Sequence, residues 1–268
     1  MTNADIAAVL NLMGALFRLD PVDPTLNPAL VGFAHGDFAV DWPCPGEVGP
    51  AFDAMAPLAA DSAEVRVALH AAFRDLFVGP AALQAPPWGS VYLDQEKVLF
   101  GASTFSLNTF LDRNAITFRD PDNGPKDHFG TLCWIGAWLA SEGRMDVFDE
   151  LMSEHVLPWA FLYVAELKTA ALAMAPENHA AVFYAAAADL ASTTLAAIKA
   201  ERSVEITEKN LYPSHAGAFS VVDRIEDVTP EDLATEQQNP CDERQREADR
   251  LVGPDCPPDR AEQRRGTG

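Results

Sequence analysis

Apolar side chains recur every three or four positions from the start of the chain. Ile6, Val9, Leu10, Met13, Leu16 and Phe17 form one stripe along residues 4–19, the signature of a helix with one face toward a core. Asn3 stands where an N-cap belongs. Val67, Leu69, Phe73, Leu76 and Phe77 repeat the pattern over 63–77, with Ser62 placed to cap, and the same period returns at about 104–113, 127–141, 145–154, 157–174 and 177–201. Alternating runs of Val, Ile and Thr are scarce and no strand–glycine–helix unit occurs. The pattern predicts an all-α fold, a single globular helical domain.

One stretch breaks the period. Residues 78–103, VGPAALQAPPWGSVYLDQEKVLFGAS, hold five Gly or Pro in their first twelve positions. A loop of this length in a compact helical domain is more often functional than not. Pro86-Pro87 fixes two φ angles and favours an extended course, so Trp88 sits on a stiffened backbone, followed by Gly89, which admits close approach by another chain. Two readings of Trp88 stand side by side: an aromatic anchor of a peptide-binding surface, or a plug over the core beneath the loop.

Composition divides the chain near residue 213. Residues 1–212 carry 27 acids, 12 bases and 23 of the 24 aromatic residues, whereas 213–268 carry 13 acids, 7 bases, six prolines and Phe219 alone. A segment so poor in large apolar groups cannot offset the entropy of ordering itself. The expected organisation is a helical domain over 1–212 and an acidic, disordered tail over 213–268, with a short helix possible around 242–251. The net charge of −21 disfavours nucleic acid or an anionic membrane as partner, and is equally what solubility or a salty cytoplasm would demand. The longest uninterrupted apolar run, 156–165, is ten residues and contains a proline, short of the ~20 a spanning helix needs. No basic leading region marks a secretory signal. Cys44, Cys133, Cys241 and Cys256 form no CxxC pair, which suggests neither zinc nor a disulfide framework, and a cytoplasmic location is expected.

Few residues suggest chemistry. Phe73, Leu76 and Phe77 share a helix face at i, i+3 and i+4, and with Trp88 they would make an apolar groove for an amphipathic guest. Asp127 either caps the helix it precedes or faces that groove as a partner for an arginine. Asp127-His128 is a poor acid–base dyad, because adjacent helical residues diverge. No G-x-S-x-G, H-E-x-x-H or G-x-x-x-x-G-K accompanies it, so neither catalysis, nor a metal, nor a cofactor is indicated. Trp134, Trp138, Phe148, Phe161 and Tyr163 read as core, and His155 as closing a helix against Trp159.

Residues 74–80 (RDLFVGP), 85–94 (APPWGSVYLD), 98–101 (VLFG) and 127–130 (DHFG) occur in this order, followed by AWLA at 137–140 and by His155 with Pro158-Trp159. Over about residues 4–200 these motifs resemble the TorD/DmsD family of cytoplasmic redox-enzyme maturation chaperones. The resemblance implies an all-α protein that is not an enzyme and binds the twin-arginine leader of a molybdopterin oxidoreductase subunit, holding the precursor back from export until its cofactor is loaded. It further implies a leader-binding surface formed or bordered by Phe73, Leu76, Phe77, Pro87, Trp88, Gly101, Asp127 and His128. Gly124, Lys126 and Ala102 stand where the family carries acids, which removes carboxylates from this turn. A homodimer by helix exchange about residues 114–126, a NarJ-type factor acting on the apo-subunit, and a nucleotide hydrolase using Asp127 and His128 are the other readings it leaves.

Overall fold

The computed structural model describes residues 1–59, 62–79, 81–97, 99–118 and 124–214. Helix α1 (Asn3–Arg18) is capped by Thr2 rather than Asn3: the Thr2 hydroxyl accepts from the Asp5 N–H while the Asp5 carboxylate accepts from the Thr2 N–H. All six residues of its predicted stripe are buried. Three helices follow that the periodicity does not reveal, α2 (Asn27–His35), α3 (Asp37–Asp41) and α4 (Pro45–Met55). Each is short, and Gly36 (φ 75°) and the prolines that punctuate them leave no window long enough to show a period. Ser62 caps α5 (Ala63–Phe73) as the sequence suggests, its hydroxyl accepting from the Val65 N–H. Val67 is exposed, however, and does not belong to the apolar face. The helix then widens into a π-helical turn over Arg74–Val78.

The irregular segment that follows holds one short helix, α6 (Gly89–Leu93), before α7 (Ala102–Arg113), α8 (Phe129–Ser141) and α9 (Met145–Leu151). A second π turn, Met152–Val156, leads into α10 (Leu157–Met174), and α11 (Ala181–Arg202) closes the bundle. No strand occurs among the described residues, and the fold is all-α. The stretches Met145–Met174 and Ala181–Arg202 are long and apolar enough to cross a membrane by composition, but more than half of each apolar window is buried in the protein. Their hydrophobicity is that of core helices, apolar on several sides because they are surrounded.

The most extensive helix pair is α1 with α8, and two glycines set its spacing. A Cβ on Gly14 would lie 2.3 Å from Trp134 Cδ1, and one on Gly130 would lie 2.9 Å from the Gly14 carbonyl oxygen. Around this contact the aromatic core assembles, with Phe17 edge-on to Phe129 at 5.0 Å and to Phe77 at 6.2 Å. Phe148 and Tyr163 are fully buried as expected, Trp134 and Phe161 are half-buried, and Trp138 is exposed, with the Arg144 guanidinium 5.5 Å from its ring.

After Ser203, which ends α11 in the left-handed region, the chain forms a strap rather than fraying. Thr207 N–H donates to the Ser153 carbonyl, Tyr212 N–H to the Tyr92 carbonyl, and Lys97 Nζ to the Pro213 carbonyl. The strap thus ties the second π turn to α6. The helices and the strap lie in one unit, Met1–Val221, and the second, Val222–Gly268, is outside the described residues. The tail and its candidate helix at 242–251 therefore lie outside the description from residue 215 on, as do residues 119–123 of the proposed hinge.

Candidate functional site

Trp88 and His128 pair as an isolated antiparallel bridge. Gly89 N–H donates to the Asp127 carbonyl at 3.1 Å and Phe129 N–H to the Pro87 carbonyl at 2.7 Å. The Pro-Pro-Trp-Gly stretch is thereby fastened to the entry of α8. Pro87 is buried and Trp88 half-buried, its ring edge-on to the His128 imidazole at 5.7 Å. Gly89 is needed for contact inside this chain rather than with another: a Cβ there would lie 2.9 Å from Trp159 Nε1 and Cε2. Trp159 has no freedom to yield, because it is fully buried, stacked on Tyr92 at 5.5 Å, and donates from Nε1 to the His155 carbonyl at 2.8 Å. The His155 ring turns instead to Phe110, 4.9 Å away.

Asp127 holds this frame together. Its Oδ2 accepts from the Ser90 N–H at 2.7 Å, in the first turn of α6, and from the Thr104 hydroxyl at 3.4 Å, in the first turn of α7. Of the two roles open from sequence, capping is the one this geometry displays, but the helix capped is α6 and not α8. Asp127 is 4% exposed, and burial raises its carboxyl above the ordinary value of 3.8 against the opposing pull of its hydrogen bonds. The cap of α8 is His128, whose Nδ1 accepts from the Gly130 N–H at 3.1 Å. Burial, helped by the Arg18 charge, lowers the His128 imidazole to about 3, so it is neutral at physiological pH, as an acceptor must be. The two side chains point to different partners, and no dyad forms.

Phe73, Leu76 and Phe77 do share a face, but that face is core. They are 5%, 3% and 5% exposed, with Phe73 and Phe77 5.1 Å apart and Phe77 edge-on to Tyr184 at 5.2 Å. They pack into the core rather than line an open groove. Leu76 and Phe77 lie in the π turn, a wide turn common at functional positions.

Gly101 is the N-cap of α7. Asp94, also buried, fixes the start of that helix by accepting from both the backbone N–H and the hydroxyl of Ser103. Two aromatics beside Gly101 escape a reading of sequence. Phe100 is 63% exposed at φ 66°, and Phe105, on the outer face of α7, is 74% exposed. A left-handed non-glycine residue costs roughly 1–3 kcal/mol and persists only where its surroundings impose it. Phe105 does leave a trace in the sequence, as an aromatic among the small or polar residues Ala102, Ser106 and Thr109 of one exposed helix face. Among the described residues no three His, Cys, Asp or Glu side chains could hold a metal ion.

Comparison with known proteins agrees with the motifs. The sequence model of the family described as nitrate reductase delta subunit matches residues 45–165. The chain is 35% identical over 209 residues to the Tat proofreading chaperone DmsD of Salmonella typhi, covering 78% of this chain and 96% of that protein. It is 33% identical over 156 residues to the probable Tat proofreading chaperone DmsD of Haemophilus influenzae, covering 58% and 75%. With the chaperone protein YcdY of Escherichia coli it shares 24% identity over 167 residues, 61% of this chain and 82% of that one.

Proposed function

The chain belongs to the TorD/DmsD family of redox-enzyme maturation chaperones, and from that premise we propose that it is a cytoplasmic, non-enzymatic chaperone that binds the twin-arginine leader of a molybdopterin oxidoreductase subunit before Tat export. The observation that carries the leader-binding reading is the surface around Trp88. A half-buried tryptophan sits on a backbone fixed at both ends, and Asp127 ties the following helix α6 to α7, which carries the exposed Phe105 and is preceded by the exposed Phe100. Aromatic anchors on a rigid frame take up the apolar part of a peptide with little entropy lost by the binder. Gly101 is the N-cap of α7, next to the exposed Phe100. Pro87, Asp127 and His128 act as positioning residues, and Phe73, Leu76 and Phe77 belong to the packed core.

Titration of a synthetic leader into wild type, Trp88→Ala and Phe105→Ser tests the proposal. Loss of a central anchor should weaken binding by about 1–3 kcal/mol while leaving the melting temperature nearly unchanged for Phe105→Ser, whose ring is exposed. Equal affinity for all three proteins would move the site elsewhere. The nitrate reductase delta subunit description of the matching family favours a second reading, an assembly factor for the apo-subunit itself. Capture of the subunit with its leader deleted would support that reading over the first.

A further inference from the structure

We propose that the arginine-bearing end of the leader docks in a second place, the groove between α1, α2 and α3, an inference that rests on the leader-binding reading above. Two carboxylates of the frame at Trp88 face inward: Asp94 is engaged by Ser103 and Asp127 by Ser90 and Thr104, both buried. Neither is available to an arginine pair arriving there. The α1–α3 groove offers two that are. It has a volume of about 580 Å³, and Leu12, Ala29, Phe38 and Trp42 contribute its apolar lining. Asp37 and Asp41 stand at its edge, exposed, one turn apart on α3. Neither carboxylate has a hydrogen bond or ion pair among the described residues, and the lining contains no lysine or arginine.

The groove is held open by its own packing. Phe38 lies over Gly32, where a Cβ would come within 2.6 Å of its ring, and against Phe33 at 4.9 Å. Trp42 is tied across to α11 by donating from Nε1 to the Thr194 hydroxyl at 3.1 Å. Two free carboxylates on an apolar trough complement two adjacent guanidinium groups followed by an apolar segment. A leader segment of about ten extended residues spans some 33 Å, the reach available between its arginines and its apolar part.

The test is a titration of a fluorescent twin-arginine leader into wild type, the double variant Asp37→Asn/Asp41→Asn, Ala8→Lys and Trp88→Ala, at low and high salt. Asp37, Asp41 and Ala8 are exposed, so circular dichroism should show these variants folded. The expected result is a loss of about 3- to 10-fold for the double variant at low salt that disappears at high salt. Ala8→Lys should show a loss in the same direction. A leader with both arginines replaced by glutamine should bind wild type and the double variant alike. Binding by wild type with no change in the double variant, in affinity or salt dependence, overturns the inference and leaves the leader reading standing. No binding by wild type overturns both. Self-association abolished by the double variant would assign the groove to a second copy of the chain, and also overturns the inference.

Discussion

Replacing Asp127 separates a structural carboxylate from a recognition carboxylate. In Asp127→Ala the buried Ser90 N–H loses its acceptor at 2.7 Å and the Thr104 hydroxyl loses its own. An orphaned buried donor costs about 1–3 kcal/mol. For a domain of this size a loss near 2 kcal/mol corresponds to a fall of about 4–8 °C in Tm. Asp127→Asn keeps an acceptor oxygen in the same position and removes the ionisation, so its stability should stay within about 1 kcal/mol of wild type at neutral pH. The pH dependence has a definite sign. Because burial raises the Asp127 carboxyl above 3.8, its favourable contribution is complete at pH values below 3.8 and is lost as pH rises through the elevated folded value. The Asn variant should therefore gain on wild type between acidic and neutral pH. Thermal melts of the three proteins across that range, paired with leader titrations, provide the assay. Equal destabilisation by Asn and Ala would refute the hydrogen-bond account. An Asn variant that melts like wild type yet loses leader affinity tenfold would show that the carboxylate meets an arginine in the complex.

Three further outcomes follow from the same geometry. Burial lowers His128 to about 3 and His155 to about 4, so both stay neutral in the fold while the unfolded chain takes up protons near 6.5; stability should fall as pH drops from about 6.5 toward 4, and a flat denaturant midpoint across that window would contradict their burial. Gly14→Ala should destabilise by roughly 1–3 kcal/mol, since its Cβ meets Trp134 at 2.3 Å; a neutral urea midpoint would show that α1 and α8 can separate freely. Phe77→Ala, in contrast to Trp88→Ala, should cost about 3–5 kcal/mol of stability, read by urea denaturation, because the ring is core and not surface.

Long amphipathic periods made most of the bundle legible from sequence, as in α1, where every stripe residue is buried. Helices of five to eleven residues that carry a proline in their first turn or follow a left-handed glycine leave too few positions for a period, which hid α2, α3 and α4, and with them the groove bearing Asp37 and Asp41. The motif around Trp88 was equally visible as a rigid loop, but its partners were not. Asp127 bonds to Ser90, 37 residues away, and Gly89 is dictated by Trp159, far along the chain. Such pairings arise from how helices pack, and no local pattern encodes them. The same limit applies to Phe73, Leu76 and Phe77. Their spacing correctly places them on one face, yet an apolar helix face reads alike whether it covers a core or lines a groove, and here Tyr184 covers it.

The most direct test of leader recognition is calorimetric titration of the full chain with synthetic twin-arginine leaders of the molybdenum reductases encoded in the same genome. The account predicts that one of them binds with Kd of about 1 μM or tighter, more weakly as salt rises because a chain of net charge −21 attracts a cationic segment. No heat with any of these leaders would contradict it.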